Sequence, residues 1–582
     1  MAPIPTPLSR TGLKPGTGGR GGEGDEGKIP TPLTGVRERP FTFPSLRSGL
    51  RLRVTAHVLP WSLFFFAVVA RLVPGPRTID DAFITFRYAR NLVAGLGFVY
   101  NPGEHVLGTT TPLYTLLLAG LSRLLNSGDY PSLALILNAL LEGLSVVLLY
   151  HLGQALSGNR LFGVALGLLW AIAPMGVTFA IGGMETPLVT FLLIATFYAY
   201  LAQRPRLSAL LGGLATLTRP DALIVPALTL LDMTLRRPGK DEHPLSSSPR
   251  PPSFVLRLLR RLPWAEAALF LAVIAPWLAF ATVYFGSPLG QSIVAKSVAY
   301  RLPPTAALAS WLQTLSMPFF EHETIPGYPV LIGFIVYLTL YLVGAIELVR
   351  RCPCSLPLFL YPALYVSAYV AANPLIFRWY WAPPLPFYFL GILAGVRALL
   401  RDMLSFSPRT QRVAAPVFAV IAALFFGLSL NGWTLHPDHG PDRPAPRMAF
   451  IRLEALYANV AHTLKGNLLD GQTIAAGDIG VLGYATGAHI LDTLGLVSPE
   501  ASRYYPLPSD AYVGNFAIAP ALIAAAPPDY VVILEVYGRK TLLADPAFQA
   551  SYRLVQRWDD PVINELYRTN GLLVFARRQA GE

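Results

Sequence analysis

Long apolar runs, separated by short polar connections, fill the chain from residue 54 to residue 430. A helix of about 20 apolar residues can cross a bilayer, and the first run of that length is 54–73. Ten later runs follow it, some of them shorter. The predicted spans are 54–73, 131–155, 161–180, 184–202, 207–218, 220–235, 264–285, 326–349, 356–373, 379–396 and 413–430. The pattern predicts a polytopic α-helical membrane protein with about eleven transmembrane helices.

The apolar run 113–125 is short for a span, and we predict that it forms a helix at the outer interface. If it crossed, each later basic connection would change sides. With this choice Arg160, Arg350 and Arg351 face the cytoplasm, as does the basic, Pro/Ser-rich loop 236–263. That agrees with the positive-inside rule. The N-terminus is then cytoplasmic, and the loop after the first span is extracytoplasmic.

The two ends of the chain differ from the apolar middle. Residues 1–50 are rich in Gly, Pro, Thr and Arg without periodicity, which predicts a disordered basic cytoplasmic tail. Residues 51–430 form the membrane domain. Residues 431–582 carry shorter apolar runs and more charge, with strands predicted at 473–478, 489–492 and 529–534 and a helix at 447–464. We predict that this last part is an extracytoplasmic α/β domain.

Composition supports a membrane protein and excludes several function classes. Of the 582 residues, 53% are hydrophobic and 14% are charged, whereas soluble domains carry about 25% charge. The net charge of +12 lies mainly in the connections, so we interpret it as a topology signal and expect no nucleic-acid partner. No phosphate-binding loop, zinc-protease motif, nucleophile elbow or dinucleotide fingerprint occurs in a credible context.

Two adjacent carboxylates, Asp80 and Asp81, follow the first span directly. At helical spacing Asp80, Arg87 and Asn91 share one face. A carboxylate pair beside arginines at a membrane surface suits a proton acceptor next to an anionic, lipid-linked substrate. The alternative is structural: both carboxylates lie in the first turn of an interfacial helix and favour the positive end of its dipole.

A second polar feature interrupts the apolar runs at Leu217–Asp221. Pro220 disfavours helical geometry at Arg219, so the chain should break there. Charges at such a break face a cavity or the protein interior, which predicts a polar pocket or, alternatively, an Arg219–Asp221 ion pair within a tight turn. Further polar and aromatic residues share the predicted outer face: Arg87, Arg90, Glu104, His105, Glu185, Lys296, Arg378, Trp379 and Tyr380.

Several motifs resemble the GT-C superfamily of membrane glycosyltransferases, and within it bacterial enzymes of envelope biogenesis that use polyprenyl-phosphate sugars, such as arabinofuranosyltransferases. They are Asp80–Leu92, Gly97–Glu104, Gly183–Leu188, Leu217–Asp221, Phe377–Tyr380, Gly477–Tyr484 and Leu491–Val497. The chain departs from the usual pattern after Glu104, where it continues His105-Val106-Leu107-Gly108. That departure bears on the sugar or the acceptor.

The resemblance implies an inverting transfer from a polyprenyl-phosphate sugar to an extracytoplasmic glycan, lipid or protein acceptor. It implies that Asp80 is the general base, that Asp81 is the second carboxylate, and that the C-terminal domain helps to hold the acceptor. Donor phosphate would be bound by Arg219, Lys296 and Arg378. Substrate contacts are expected from Arg87, Tyr88, Glu104, His105, Glu185, Asp221, Trp379 and Tyr380. No cofactor is indicated, and the use of a divalent cation stays open.

Two other function classes remain. A transporter or flippase of lipid-linked sugars would also contain broken spans and buried charges, but the acidic pair lies in an outer loop and the sequence shows no twofold repeat. A non-catalytic scaffold of envelope assembly would use the C-terminal domain for binding, and its Asp80 would be dispensable.

Overall fold

Helices account for nearly all of the membrane part in the computed structural model. The structure describes residues 50–236, 259–319, 328–404, 408–431, 449–469 and 471–579. The predicted tail 1–50 lies outside these ranges except for its last residue, and most of the loop 236–263 lies outside them as well. The membrane-part helices are α1 Leu50–Leu72, α2 Asp80–Val93, α3 Pro112–Leu125, α4 Tyr130–Ser157, α5 Arg160–Ala171, α6 Pro174–Ile181, α7 Thr186–Leu201, α8 Pro205–Thr218, α9 Ile224–Arg236, α10 Trp264–Phe285, α11 Gln291–Ala299, α12 Ala306–Ser316, α13 Tyr328–Arg351, α14 Leu356–Ala372, α15 Leu385–Met403 and α16 Pro408–Asn431.

Every predicted span coincides with one or more of these helices. By length and apolar composition, five described helices could each cross a membrane, or up to six if the bent pair α5 and α6 is one span. The chain is therefore a multi-pass membrane protein, while the count of eleven crossings stays a prediction. The short run 113–125 is helix α3, as predicted.

Two prolines mark the breaks in this part of the chain. Helices α5 and α6 are bent by 45° at a break just before Pro174. Helix α8 ends at Thr218, and Arg219 has extended backbone angles (φ −151°, ψ 133°) before a 3₁₀ turn at Pro220–Leu223. The predicted chain break at Pro220 is confirmed, and its cause is the steric effect of proline on the preceding residue.

A buried ion pair joins α1, α4 and α5. Arg71 Nη2 donates to Glu142 Oε2 at 3.2 Å, and Trp170 Nε1 donates to the same oxygen at 2.7 Å. All three side chains are buried. Removing one partner of such a pair leaves an uncompensated buried charge, so the sequence tolerates Glu142 within the apolar run 131–155 because Arg71 accompanies it.

The C-terminal part is an α/β domain, as predicted. Its sheet has the order β2-β1-β3-β5-β4, in which β2, β1 and β3 are parallel and β3, β5 and β4 are antiparallel. The elements are α17 Ala449–Lys465, β1 Thr473–Ala476, α18 Gly480–Thr486, β2 His489–Asp492, α19 Pro520–Ala525, β3 Tyr530–Leu534, α20 Glu535–Gly538, α21 Pro546–Ser551, β4 Tyr552–Trp558, α22 Pro561–Tyr567 and β5 Leu572–Arg577.

The strands β1, β2 and β3 were predicted from their apolar runs, and all but their first residues are buried. The sequence analysis did not identify β4 and β5. Strand β4 lies at the edge of the sheet and is mostly exposed, so its residues lack the apolar pattern of a buried strand. The membrane part and this domain belong to one compact unit, whereas the boundaries 51–430 and 431–582 stay predictions.

Candidate functional site

Asp80 binds the N-terminal end of helix α18 in the C-terminal domain. Its Oδ2 accepts a hydrogen bond from the Gly480 amide and its Oδ1 accepts one from the Val481 amide, both at 2.8 Å. The first amides of a helix have no partner within the helix, and a carboxylate there also meets the positive end of the helix dipole. Only glycine fits at position 480, because a Cβ would lie 1.8 Å from the Asp80 carbonyl oxygen.

Arg87 binds the other end of the same helix. Its guanidinium donates to the carbonyls of Gly483 and Ala488, each at 2.7 Å, and to the Tyr100 carbonyl at 2.9 Å. Asp80 and Arg87 are seven positions apart in α2, a rise of about 10 Å. That rise matches the length of α18, which has seven residues. The acidic and basic residues of α2 therefore hold opposite ends of one helix, each with the charge that the end attracts.

Strand β2 is held by the loop that follows α2. The Asn101 side chain exchanges two hydrogen bonds with the backbone of Ile490, at 2.9 and 3.1 Å. Glu104 Oε1 lies 2.8 Å from His489 Nε2. The Tyr100 hydroxyl donates to the Ile479 carbonyl at 2.6 Å. The motif around Asn101 and Glu104 therefore docks the C-terminal domain.

Asp81 points to a different partner, Lys296 of helix α11. Asp81 Oδ2 lies 3.7 Å from Lys296 Nζ, and their side chains are 33% and 22% exposed. Burial is the largest single effect and lowers the pKa of Lys296, but Asp81, Tyr380, Glu185 and Asp492 together raise it more, so the net shift is upward. Both side chains are partly accessible to solvent. Of the adjacent carboxylates, Asp81 forms the pair with a cation.

An aromatic cluster lies beside Lys296. Its Nζ lies 4.8 Å from the centroid of the Phe377 ring, and Phe377 stacks on Trp379 at 4.7 Å. Lys296 is also within electrostatic range of Tyr380 and Glu185. Arg378 belongs to the same short turn, Arg378–Tyr380. This arrangement brings together a carboxylate, an ammonium group and flat apolar rings, which can contact a hydroxyl, a phosphate and a sugar or prenyl chain respectively.

Helix α11 is fixed from two sides, so Lys296 depends on both parts of the protein. The Gln291 backbone amide donates to the Leu107 carbonyl at 2.8 Å. The Gln291 side-chain amide lies 3.3 Å from the Gly495 carbonyl and from the Ser502 hydroxyl of the C-terminal domain. The position of the ammonium group therefore depends on docking of that domain.

The Arg219 guanidinium is paired with carboxylates of neighbouring residues. It donates to both carboxylate oxygens of Asp221, at 3.1 and 2.6 Å, and lies 3.5 Å from Glu185 Oε1. The hydroxyls of Tyr365 and Tyr369 donate to Asp221 at 2.8 and 2.7 Å. Arg219 is only 3% exposed. Of the two sequence-based interpretations, the ion pair in a tight turn is the one that this geometry matches.

The Arg219 network also supports the aromatic turn. The Arg219 guanidinium lies 4.6 Å from the centroid of the Tyr380 ring, and the Tyr365 hydroxyl oxygen lies 2.9 Å from the Tyr380 carbonyl oxygen. Because the guanidinium charge is already matched by Asp221 and Glu185, we assign these residues to positioning Tyr380. Lys296 and Arg378 remain the candidates for binding phosphate.

Tyr88 and His105, both predicted to contact substrate, make contacts with other parts of the protein. Tyr88 is buried, its hydroxyl donates to the Val106 carbonyl at 2.6 Å and accepts from the Gly108 amide at 2.8 Å. His105 is exposed and stacks on Tyr284 with a centroid distance of 4.0 Å. These contacts shape the loop after α2 and do not direct either side chain to Asp81.

The sequence analysis did not single out two carboxylates of the C-terminal domain that face α2. Asp478 follows β1 and accepts a hydrogen bond from the Tyr457 hydroxyl at 2.8 Å. Glu454 Oε1 accepts from Thr78 Oγ1 at 2.6 Å. Burial raises the pKa of Asp478 to about 6 and that of Glu454 to about 8. Burial and the neighbouring Asp478 charge raise the pKa of Asp80 to about 7, against the lowering effect of its two amide bonds.

These raised pKa values predict how stability changes with pH. A carboxyl of the unfolded chain has a pKa of about 4, so between about pH 4 and pH 8 the folded protein holds protons that the unfolded chain has released. Stability should therefore fall as pH rises through this window. We expect a lower melting temperature in detergent at pH 8.5 than at pH 5.5, and Glu454→Gln should flatten the profile. Glu565→Gln, on the exposed side of α22, is the control, and a stability that rises with pH would disprove this account.

A metal site is not evident in the ranges that the structure describes. Within them, no group of three or more His, Cys, Asp or Glu side chains is arranged to hold a metal ion.

Sequence comparisons give one family match and one curated relative. A family described as a domain of unknown function (DUF8728) matches residues 449–576, which is the C-terminal domain. A curated relative, the Terminal beta-(1->2)-arabinofuranosyltransferase of Mycobacterium tuberculosis (strain ATCC 25618 / H37Rv), is 33% identical over 179 residues. That match covers 27% of this chain and 28% of the relative.

Solved structures match nearly the whole chain. ArnT from Cupriavidus metallidurans, bound to undecaprenyl phosphate, has 15% sequence identity and a TM-score of 0.50, and the match covers 91% of this chain and 98% of ArnT. The archaeal oligosaccharyltransferase AglB from Archaeoglobus fulgidus, in complex with an inhibitory peptide and a dolichol-phosphate, has 13% identity and a TM-score of 0.52, with 92% of this chain and 75% of AglB covered. The chain therefore shares the overall fold of these two solved structures.

Proposed function

We propose that this protein is an inverting glycosyltransferase that moves a sugar from a polyprenyl-phosphate donor to an extracytoplasmic acceptor hydroxyl. The observation that carries the proposal is the Asp81–Lys296 pair, with 3.7 Å between Oδ2 and Nζ. A proton acceptor and a phosphate-binding cation lie side by side there, next to the aromatic turn at Phe377–Tyr380. The curated arabinofuranosyltransferase relative and the polyprenyl or dolichol phosphates bound to ArnT and AglB support the donor class.

The chemistry follows from these groups. The acceptor hydroxyl loses its proton to an Asp81 carboxylate oxygen as its own oxygen bonds to the anomeric carbon of the donor. The bond from that carbon to the phosphate oxygen breaks, and polyprenyl phosphate leaves. Lys296 stabilises the negative charge on the leaving phosphate. A single displacement of this kind inverts the anomeric configuration.

We assign the base to Asp81 rather than to Asp80. Both Asp80 oxygens accept amide hydrogen bonds from α18, which holds that carboxylate in an interdomain contact. Asp81 instead pairs with Lys296. When the donor phosphate binds the Lys296 ammonium group, it replaces Asp81 in the ion pair and leaves the Asp81 carboxylate available to the acceptor hydroxyl. Asp80 then serves as a positioning residue, and an Asp of the first outer loop is still the base.

In this proposal the C-terminal domain binds the acceptor. Strand β1 has β2 as its neighbour on one side and β3 on the other, so the strand order reverses at β1. In parallel sheets of this kind, ligands bind beyond the carboxyl ends of the strands at the point of reversal. Asp478 lies at that position, two residues after β1. It is within electrostatic range of both Asp80 and Asp81. Asp478 can accept hydrogen bonds from acceptor hydroxyls.

The orientation in the membrane follows the sequence-based topology. We propose a plasma-membrane protein with a cytoplasmic N-terminus and with α2, α11 and the C-terminal domain outside. The donor then enters from the outer leaflet, and the acceptor is a glycan, lipid or protein of the envelope.

Lys296→Met tests the proposed donor site. Loss of one charged contact to phosphate is worth about 1.5–3 kcal/mol, so we expect undecaprenyl phosphate to bind the purified protein at least about tenfold more weakly. Binding of a fluorescent undecaprenyl phosphate in detergent measures this. Lys465→Met, on the exposed end of α17, is the matched control and should bind as the unchanged protein does. Equal binding by the Lys296 variant would remove this residue from the donor site.

A further inference from the structure

A cavity of about 430 Å³ lies between the ends of α4, α5, α13, α15 and α16. It is at the opposite end of the helices from Asp81. Helix α15 begins at Leu385, five residues after Tyr380, and it reaches the cavity with Arg397 and Arg401. Arg397 is therefore about 18 Å along the helix axis from the aromatic turn. The cavity does not belong to the proposed transfer site.

The polar lining of the cavity carries excess positive charge. Three guanidinium groups, those of Arg351, Arg397 and Arg401, line it together with one carboxylate, that of Glu347. Arg351 and Arg401 both bind Glu347. Arg397 Nη1 instead donates to the neutral Ser157 carbonyl at 2.7 Å. Arg401 Nε also pairs with Asp402 Oδ1 at 2.8 Å. Among the described residues at the cavity, two carboxylates therefore face three guanidinium groups.

The other walls of the cavity are apolar. They are formed by Leu161, Phe162, Leu348, Ala398 and Phe418. Leu161 is 37% exposed, and Arg351 and Arg401 have side chains that are 40% and 48% exposed. The cavity therefore opens outwards at the ends of the helices, with a basic rim beside an apolar wall. A free inorganic anion uses only the rim, whereas a phospholipid uses both.

We propose that this cavity binds an anionic phospholipid of the cytoplasmic leaflet. The headgroup phosphate lies between Arg397 and the Arg351–Arg401 pair, and the upper part of an acyl chain packs on Leu161, Phe162 and Phe418. Basic pockets between membrane helices on the cytoplasmic side bind anionic headgroups in this way. The proposal does not depend on the transfer reaction, because it uses none of the residues assigned to it.

The test is lipid binding by the full chain, purified in a neutral detergent and stripped of lipid. Phosphatidylglycerol should raise the melting temperature and remain bound in native mass spectra, while phosphatidylcholine of the same chain length should do neither. Each guanidinium removed should weaken phosphatidylglycerol binding about fivefold, since each basic residue near an anionic headgroup contributes about 1 kcal/mol. Arg397→Gln is the first variant. Arg351→Gln at the exposed rim is the second, and it carries the test if the first does not fold. Arg123→Gln, on the exposed side of α3, is the control.

Three outcomes would overturn the proposal. One is equal stabilisation by phosphatidylglycerol and phosphatidylcholine. Another is unchanged phosphatidylglycerol binding in both arginine variants. The third is full protection by inorganic phosphate with no further effect of the lipid, which would assign the cavity to a free anion.

Discussion

Asp81→Asn should abolish sugar transfer while leaving the protein folded. Positioned general bases contribute about 10²- to 10⁴-fold to rate, and we expect a fall of about 1,000-fold in turnover. The Asn side chain is nearly isosteric, and within the described part of the chain Asp81 makes no interdomain hydrogen bond comparable to those of Asp80. The melting temperature and the binding of undecaprenyl phosphate should therefore stay close to those of the unchanged protein. Turnover is measured from labelled polyprenyl-phosphate sugars in detergent.

Asp80→Asn is the matched comparison for this prediction. An Asn side chain has one acceptor oxygen and one amide group, so it cannot accept from both Gly480 and Val481 as Asp80 does. We expect a lower melting temperature and faster proteolysis of the C-terminal domain. If Asp80→Asn lost turnover at full stability while Asp81→Asn kept it, the base would be Asp80, as the family resemblance implies.

Arg87→Met should separate the C-terminal domain from the membrane part. Arg87 is 1% exposed and makes three short hydrogen bonds to carbonyl oxygens. Hydrogen bonds to charged groups contribute about 1.5–3 kcal/mol each, and the carbonyl oxygens that lose the Arg87 donor would stay buried. We expect a loss of at least about 3 kcal/mol in the free energy that holds α18 in place. Hydrogen exchange of the α18 amides measures this directly.

Transfer should also fall in Arg87→Met, because Gln291 links the Lys296 helix to the same domain. Arg123→Met, at an exposed position of α3, provides the control and should leave both exchange and transfer unchanged. Unaltered hydrogen exchange of the α18 amides in the Arg87 variant would show that the contacts between α2 and α18 are not needed for docking of the C-terminal domain.

The sequence predicted the outline of the fold because its main elements carry local signals. Apolar runs marked the membrane helices, and Pro220 marked the break before α9. Strand β4 gave no such signal, since Leu554 and Val555 are 53% and 43% exposed. Glu142 was also missed, because its partner Arg71 lies on another helix.

The functional site was predicted less completely, for a physical reason. The spacing of Asp80 and Arg87 showed that they share a helix face, but what that face binds is a helix 400 positions away in the chain. No local pattern distinguishes a capping carboxylate from a reactive one when the two are adjacent. The pairing of Asp81 with Lys296 likewise joins two outer segments that are far apart in the chain. The sequence analysis therefore identified both residues but did not predict that they form an ion pair.

The central claim is tested most directly by the product of the reaction. Purified protein is incubated with polyprenyl-phosphate arabinofuranose, or with other polyprenyl-phosphate pentoses and hexoses, and with an envelope glycan extract, and the product is analysed by NMR. We predict that one donor yields a glycoside with inverted anomeric configuration, releases polyprenyl phosphate, and does so only when Asp81 is present. Movement of intact donor across vesicle membranes without any glycoside, in both the unchanged protein and Asp81→Asn, would contradict the account and favour a flippase.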